Sequence, residues 1–152
     1  MGFGISANLG GGLIAHLLRI GEAFMMQASA YALHLLSGCA LLAAFFAVYT
    51  KVTPFQEVAL IRQGNAAAAL SLSGAGVGFC LTVASSILHN DTFWTFFMWS
   101  LAAMLVQTGV YAALTRMVPN MNEAIENNNV AMGGLMGALS LMVGMINAAC
   151  LS

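Results

Sequence analysis

Two narrow stripes of small and polar residues are the features of this sequence best suited to recognition or transport chemistry. Members of each stripe are three or four residues apart, so they share one face of a helix. The first stripe is Ser71, Gly74, Gly78, Thr82 and Ser85, and the second is Gly133, Gly137, Ser140, Gly144 and Asn147. Each contains a G-x-x-x-G spacing, which lets helix backbones approach closely in lipid. The stripes predict either plain helix packing or a polar path for water or an ion.

Further polar groups lie deep in apolar segments, namely His34 and Gln107 together with Asn147 of the second stripe. An unpaired polar group in hydrocarbon costs several kcal/mol, so each needs a partner inside the protein. We expect Gln107 and Asn147 to hydrogen-bond between helices. A histidine can relay protons or bind metal, but no second histidine or carboxylate stands at helical spacing from His34, which favours a structural role.

The sequence contains no recognisable catalytic motif. There is no glycine-rich phosphate loop and no nucleophile elbow, and Cys39, Cys80 and Cys150 have no paired or metal-type spacing. Proton-coupled transport usually needs an Asp or Glu within the bilayer, and none of the apolar segments contains one. We therefore expect no enzyme activity, no cofactor and no metal ion.

The elements that must position these residues follow from composition. Of 152 residues, 61% are hydrophobic and only 6% are charged, against about a quarter charged in soluble proteins. A net charge of -1 leaves no basic patch for nucleic acid. The expected partner is the lipid bilayer.

Charged residues divide the chain into four uncharged stretches, each longer than the roughly 20 residues that a transmembrane helix needs. The predicted cores are Ala28 to Val48, Ala66 to Leu88, Phe93 to Leu114 and Val130 to Leu151. The predicted fold class is an all-α, four-helix transmembrane bundle occupying residues 28–152.

The first 27 residues form a separate predicted segment. Leu13, Leu17 and Phe24 recur at helical spacing, while Arg19 and Glu22 gather on another face. This amphipathic pattern predicts an interfacial helix lying along the membrane. The alternative is a first crossing that begins early and tilts.

The transmembrane region repeats itself. Thr50, Lys51 and Pro54 recur at an offset of 65 as Thr115, Arg116 and Pro119. Two crossings per unit give two parallel helix hairpins, about 28–90 and 91–152, related by an axis along the membrane normal.

The turn within each repeat has its own signals. Thr53 followed by Pro54 predicts a capping box and a short surface helix, with Glu57 and Arg62 facing water. These two charges are candidates for a solvated pair, a docking point or a gate at a pore mouth. Asn65 and Asn129 each precede a small-residue helix, and Pro119 begins the second turn.

Several of these strings resemble a known family. T-P-F-Q-E-V-A-L-I-R-Q-G-N-A-A-A-A-L-S-L-S-G, the later Gln107 and the terminal I-N-A-A-C are similar to the YjfL-like family of bacterial inner-membrane proteins (DUF350, UPF0719). The resemblance covers about residue 28 to the end and implies four crossings, an inner-membrane location and no established reaction. Thr82 stands where the family pattern has proline, and the stretch before residue 28 is longer than usual.

Basic residues suggest an orientation. Lys51, Arg62 and Arg116 lie in the turns after the first and third crossings, and only Arg19 lies on the other side. The positive-inside rule then places those turns in the cytoplasm and both termini outside.

We interpret the chain as a structural or assembly subunit of a bacterial inner membrane. It would associate with itself or with a larger membrane complex through the glycine stripes and the outer helical faces. The alternative is a channel or facilitator for a small ion or solute, with a path lined by Ser71, Ser85, Gln107 and Asn147.

Overall fold

The protein is described by a computed structural model that covers residues 3–90 and 92–151, with side chains from residue 14 onward. Every regular element in these ranges is a helix. The elements are α1 (Phe3–Val52), α2 (Glu57–Arg62), α3 (Ala66–His89), α4 (Phe93–Met117), α5 (Met121–Glu126) and α6 (Val130–Cys150). Helices α1, α3, α4 and α6 are long and apolar enough to cross a bilayer. The predicted all-helical class with four spans is confirmed.

The N-terminal region forms part of one long helix. Helix α1 runs from Phe3 to Val52 without interruption, which is compatible with the alternative of a first crossing that begins early. The first proline of the chain is Pro54, and an isolated glycine such as Gly21 costs a helix only about 1 kcal/mol. The packing divides the chain into units Met1–Leu36 and Ser37–Ser152; the interfacial position of the N-terminal segment and its boundary at residue 28 stay predictions.

Within the unit Ser37–Ser152, the contacts fix the directions of the helices. Helices α3 and α6 run the same way, because Ala67 meets Gly133 near their starts and Gly78 meets Gly144 further along both. Helix α4 runs opposite to α3, since Ser86 near the end of α3 bonds to Phe96 near the start of α4. Parallel repeats require this arrangement of α3 and α6. The symmetry of the two halves stays a prediction.

The two turns share their local geometry. Helices α2 and α5 each have six residues, and each is followed by a residue with positive φ, Gly64 at 87° and Asn128 at 58°. The next residue in each turn, Asn65 or Asn129, caps the following long helix by accepting a hydrogen bond from a backbone N–H three residues later. Such a left-handed residue ends a helix and turns the chain, as expected for a C-terminal cap.

The predicted start of α2 is wrong by three residues. The helix begins at Glu57, and Gln56 precedes it without a side-chain cap, so Pro54 is not its first helical residue. Thr53 does not cap α2, because its hydroxyl donates a hydrogen bond at 3.3 Å to the carbonyl of Tyr49 in α1. The bond ties Thr53 to the end of the preceding helix.

Large aromatic side chains join the C-terminal part of α1 to α3 and α4. Phe45 stacks on Phe79 with ring centroids 4.6 Å apart. Tyr49 lies against Tyr111 at 4.6 Å, with the rings tilted by 54°. All four rings are buried. These contacts hold α1 at side-chain distance from its neighbours and surround the site described below.

Candidate functional site

The two glycine stripes face each other inside the chain. A Cβ atom at Gly74 would overlap the carbonyl of Gly137, and one at Gly144 would overlap the backbone of Gly78. Gly133 likewise lies against the backbone of Ala67. We call this surface the α3–α6 interface; its members are Ala67, Gly74, Gly78, Thr82 and Ser85 on α3 and Gly133, Gly137, Ser140, Gly144 and Ala148 on α6. The two stripes therefore pack against each other within one chain.

Polar groups at the α3–α6 interface are aimed at backbone carbonyls. The Thr82 hydroxyl lies 3.1 Å from the carbonyls of both Gly78 and Gly144. The Ser85 hydroxyl donates to the carbonyl of Ala148 at 2.7 Å. Hydrogen bonds between helices of this kind stabilise packing in lipid. Thr82, which stands in place of the expected proline, thus forms a bond between helices that proline cannot make.

Gln107 joins three helices at one point. Its side chain reaches from α4 to Gly78 of α3, and its Nε2 donates to the carbonyl of Ser140 in α6 at 2.8 Å. The Gln107 Oε1 and the Ser140 hydroxyl are buried without a hydrogen-bond partner. Asn147 approaches the carbonyl of Ala103 at 3.5 Å, the long limit for such a bond. These contacts support the packing interpretation of Gln107 and Asn147.

The two turns are tied to each other. Asn65 Nδ2 donates to the carbonyls of Ile125 and Glu126 at 2.8 and 3.1 Å, while its Oδ1 accepts from Ala68 N–H at 2.8 Å. In the other direction, Asn128 Oδ1 accepts from the N–H of Ala67 at 3.1 Å. Asn65 thus starts α3 and covers the C-terminal carbonyls of α5. Pro54, Pro119 and Asn129 lie in the same turns with exposed side chains.

Glu57 is the largest departure from the sequence prediction. It was expected to face water, yet it is 1% exposed, and both carboxylate oxygens are buried without a hydrogen-bond partner. The expected exposure of Glu57 is therefore wrong. Phe55, in the same turn, is also buried within the protein. The cause is tertiary: the chain after α1 folds back over the end of the bundle.

The surroundings of Glu57 consist mainly of hydroxyl groups. Its carboxyl interacts electrostatically with the phenols of Tyr49 on α1 and Tyr111 on α4. The Tyr49 hydroxyl lies 3.4 Å from the Ser71 hydroxyl on α3, whereas the Tyr111 hydroxyl is buried without a partner. We call Tyr49, Thr53, Glu57, Ser71 and Tyr111 the Glu57 cluster. Ser71 therefore belongs to this cluster and lies apart from the other path candidates.

No basic side chain neutralises Glu57 in the described part of the chain. Arg62 is exposed and forms no ion pair there, although it lines with Glu57 an open cleft of about 540 Å³ together with Thr50, Gln56, Val58, Ala59 and Gln63. Burial raises the pKa of Glu57 above its ordinary value, and the nearby Thr53 hydroxyl opposes the shift only in part. The solvated Glu57–Arg62 pair predicted from sequence does not form.

The sequence analysis did not single out Tyr49 and Tyr111. A signal was available, because each lies near the end of a helix that leads into one of the turns: Tyr49 directly before Thr50, and Tyr111 in the last two turns of α4 before Thr115. The hydroxyls would thus be expected at one end of the bundle. Among the described residues, no cluster of His, Cys, Asp or Glu could hold a metal ion.

Four apolar helices, two interlocked turns and an apolar outer surface define a multi-pass helical membrane protein. The chain belongs to the family described as Domain of Unknown Function (DUF350), whose model matches residues 8–151. It is 32% identical over 123 residues to the UPF0719 inner membrane protein YjfL of Escherichia coli K12, covering 81% of this chain and 93% of that protein. The protein of the same name in Escherichia coli O157:H7 matches to the same extent. No solved structure matches.

Proposed function

We propose that this protein is a small structural subunit of the bacterial inner membrane that self-associates through the N-terminal part of α1. The observation that carries this proposal is the exposure of that helix. From Ile14 to Leu33 every side chain is exposed, including Leu17, Leu18 and Phe24. The inner-membrane location is supported by the name of the Escherichia coli relative.

The length of α1 argues for a protein partner. Its apolar part, Ile14–Val52, has 39 residues and extends about 58 Å at 1.5 Å per residue. The hydrocarbon core of a bilayer is about 30 Å thick. Lipid tails cover such a helix completely only at a tilt far beyond the average of about 20°. A second copy of the same helix would cover the remaining apolar surface.

The surface proposed for self-association differs from the one predicted from the sequence, which included the glycine stripes. The glycine stripes are occupied within the chain, so association must use outer faces. Helix–helix association in lipid depends on van der Waals packing and hydrogen bonds, and α1 offers an exposed apolar face with Leu17, Leu18 and Phe24 between Ile14 and Leu33.

Disulfide or maleimide cross-linking in membranes tests this proposal. In a background with Cys39, Cys80 and Cys150 changed to serine, Leu18→Cys should give a cross-linked dimer. Leu105→Cys is the matched control, because Leu18 and Leu105 are 63% and 73% exposed but only Leu18 lies on the proposed surface. Equal cross-linking of both, or a strictly monomeric protein in mild detergent, would contradict self-association.

The orientation belongs to the same proposal. Lys51, Arg62 and Arg116 favour cytoplasmic turns after the first and third crossings, with both termini in the periplasm. Lys51→Cys and Arg116→Cys, each in the cysteine-free background, should be protected from an impermeant thiol reagent in intact cells. Labelling of one and not the other would overturn the topology.

A facilitator for a small ion is the second candidate, favoured by the burial of the Glu57 acid at the end of the bundle. Against it, Ser85 and Gln107 of the suggested path already bond to carbonyls. Flux into proteoliposomes that Asn147→Leu abolishes would support this candidate, and absence of flux for all small ions tested would remove it.

A further inference from the structure

The Glu57 cluster combines a buried acid with oxygen atoms that need partners. Both Glu57 oxygens and the Tyr111 hydroxyl are buried without a hydrogen bond of good geometry, although the Thr53 hydroxyl lies near Glu57 and the Tyr49 hydroxyl near Tyr111. The Tyr49 and Ser71 hydroxyls meet only at the long distance of 3.4 Å. Buried polar atoms in proteins are nearly always satisfied, and an unsatisfied group needs a physical explanation. Four oxygen-bearing side chains from four helices thus converge on one point with unused hydrogen-bonding capacity.

An ionised carboxylate in these surroundings needs a compensating charge. The groups that could supply it are few. Tyr49 on α1 and Tyr111 on α4 interact with the acid, Ser71 on α3 contacts the Tyr49 hydroxyl, and none of the three is a cation. Arg62 on α2 is exposed and forms no ion pair in the described ranges. Among the residues with described side chains, none is placed to supply the compensating charge, which favours a cation from solution.

We propose that Glu57, with the hydroxyls of Tyr49, Tyr111 and Ser71, forms a binding site for one monovalent cation, either a proton or an alkali-metal ion. Both ions satisfy the same chemistry, because each neutralises the carboxylate. An alkali-metal ion would be coordinated by the carboxylate and hydroxyl oxygens, as hard cations prefer. The open cleft beside Glu57, lined also by Gln56 and Arg62, gives the route by which the ion enters. This inference is independent of the assembly role.

Carbodiimide labelling of the purified full chain tests the site. Dicyclohexylcarbodiimide reacts with protonated carboxyls, and its adduct is stable only where water is excluded. We expect one stable adduct, on Glu57, with a labelling rate that falls roughly tenfold for each pH unit above the pKa of the group. Glu57→Gln should lose the adduct. Glu123→Gln is the matched control, because Glu123 is an exposed carboxylate in the other turn, and it should keep the adduct.

Labelling in different salts distinguishes a bound proton from a bound alkali-metal ion. Labelling is compared in sodium, potassium or choline chloride at one pH and ionic strength. A labelling rate that is lower in sodium or potassium chloride than in choline chloride identifies an alkali-metal site. A labelling rate that depends on pH but is the same in all three salts identifies a proton site. The proposal is overturned if Glu57 forms no adduct at any pH from about 5 to about 9. It is also overturned if Glu123 is labelled to the same extent as Glu57.

The hydroxyl groups are tested separately. Tyr111→Phe removes one hydroxyl and keeps the ring that packs on Tyr49. If the phenol is part of the site, the pH midpoint of labelling moves upward, since a group that can donate to the ionised carboxylate is lost. An unchanged midpoint and unchanged cation protection would remove Tyr111 from the site.

Discussion

The α3–α6 interface and the Glu57 cluster are both buried, but they are built in opposite ways. At the interface, backbones touch and the hydroxyls of Thr82 and Ser85 reach carbonyl acceptors. In the cluster, large aromatic side chains hold the helices apart around an acid whose oxygens have no partner. The first arrangement leaves no room for larger side chains, because a close-packed interior tolerates little added volume. The second keeps the Glu57 carboxyl available for an interaction. Small residues therefore pack α3 against α6, while aromatic residues surround the Glu57 carboxyl.

The largest expected effect is at the α3–α6 interface. Gly133→Ala should destabilise the protein by about 1–3 kcal/mol or more, the usual range for overpacking, because the new Cβ would overlap the backbone of Ala67. Gly134→Ala is the matched control in the next position, where nothing lies within 4 Å of a Cβ. The free energy of unfolding, measured in mixed detergent micelles, checks the pair. Equal losses would show that the two helices are not in backbone contact.

The second effect depends on pH and concerns the Glu57 cluster. A carboxyl whose pKa is raised on folding contributes stability that is fully present below its unfolded pKa of 4.5 and is lost as pH rises through the folded value. Glu57→Gln removes this dependence, so its melting temperature should exceed that of the parent increasingly as pH rises above 4.5. Melting curves across pH provide the measurement. Parallel curves for the two proteins would mean that the pKa of Glu57 is the same in the folded and unfolded states.

A smaller effect is expected where Gln107 links α4 to α6. Gln107→Met keeps length and removes the hydrogen bond from Nε2 to the carbonyl of Ser140. Such bonds between membrane helices contribute about 0.6 kcal/mol on average and about 1.7 at most. Removal of the unpartnered Oε1 atom offsets part of the loss. The same unfolding assay should show a change below that of Gly133→Ala, and a larger loss would make Gln107 the principal contact of the bundle.

The smallest effect should come from Arg62. It is exposed and forms no ion pair among the described residues, so Arg62→Gln should alter stability by no more than about 0.5 kcal/mol. It should also leave the pH profile of melting unchanged. A profile shifted toward that of Glu57→Gln would instead show that the guanidinium influences the buried acid across the cleft.

Some elements were predictable because their signals are local. The helix core predicted from Ala66 to Leu88 begins where α3 begins, and its predicted end lies one residue from His89. The spacing of Gly74 and Gly78, and of Gly133 and Gly137, indicated close helix contact, since the helical period places each pair on one face of its own helix. Their pairing within one chain required the fold. Nothing local distinguishes a stripe that meets its own chain from one that meets a second copy.

The prediction for Glu57 failed for a reason that is not local. Glu57 lies six residues after Lys51 in a polar turn, where an exposed side chain is the ordinary expectation. Its surroundings include Tyr111 on α4, which is remote in sequence, as well as Tyr49 at the end of the preceding helix. Local pattern does not reveal such a contact.

The sequence by itself determined that this chain spans a membrane, because stretches without charge that exceed the bilayer thickness must satisfy their backbone as helices. It also determined which helix faces carry small residues. The tertiary structure alone decided that these faces meet each other and that the turn after α1 carries Glu57 into the bundle. Burial is a property of the groups that surround a residue, and those groups come together only when distant helices pack.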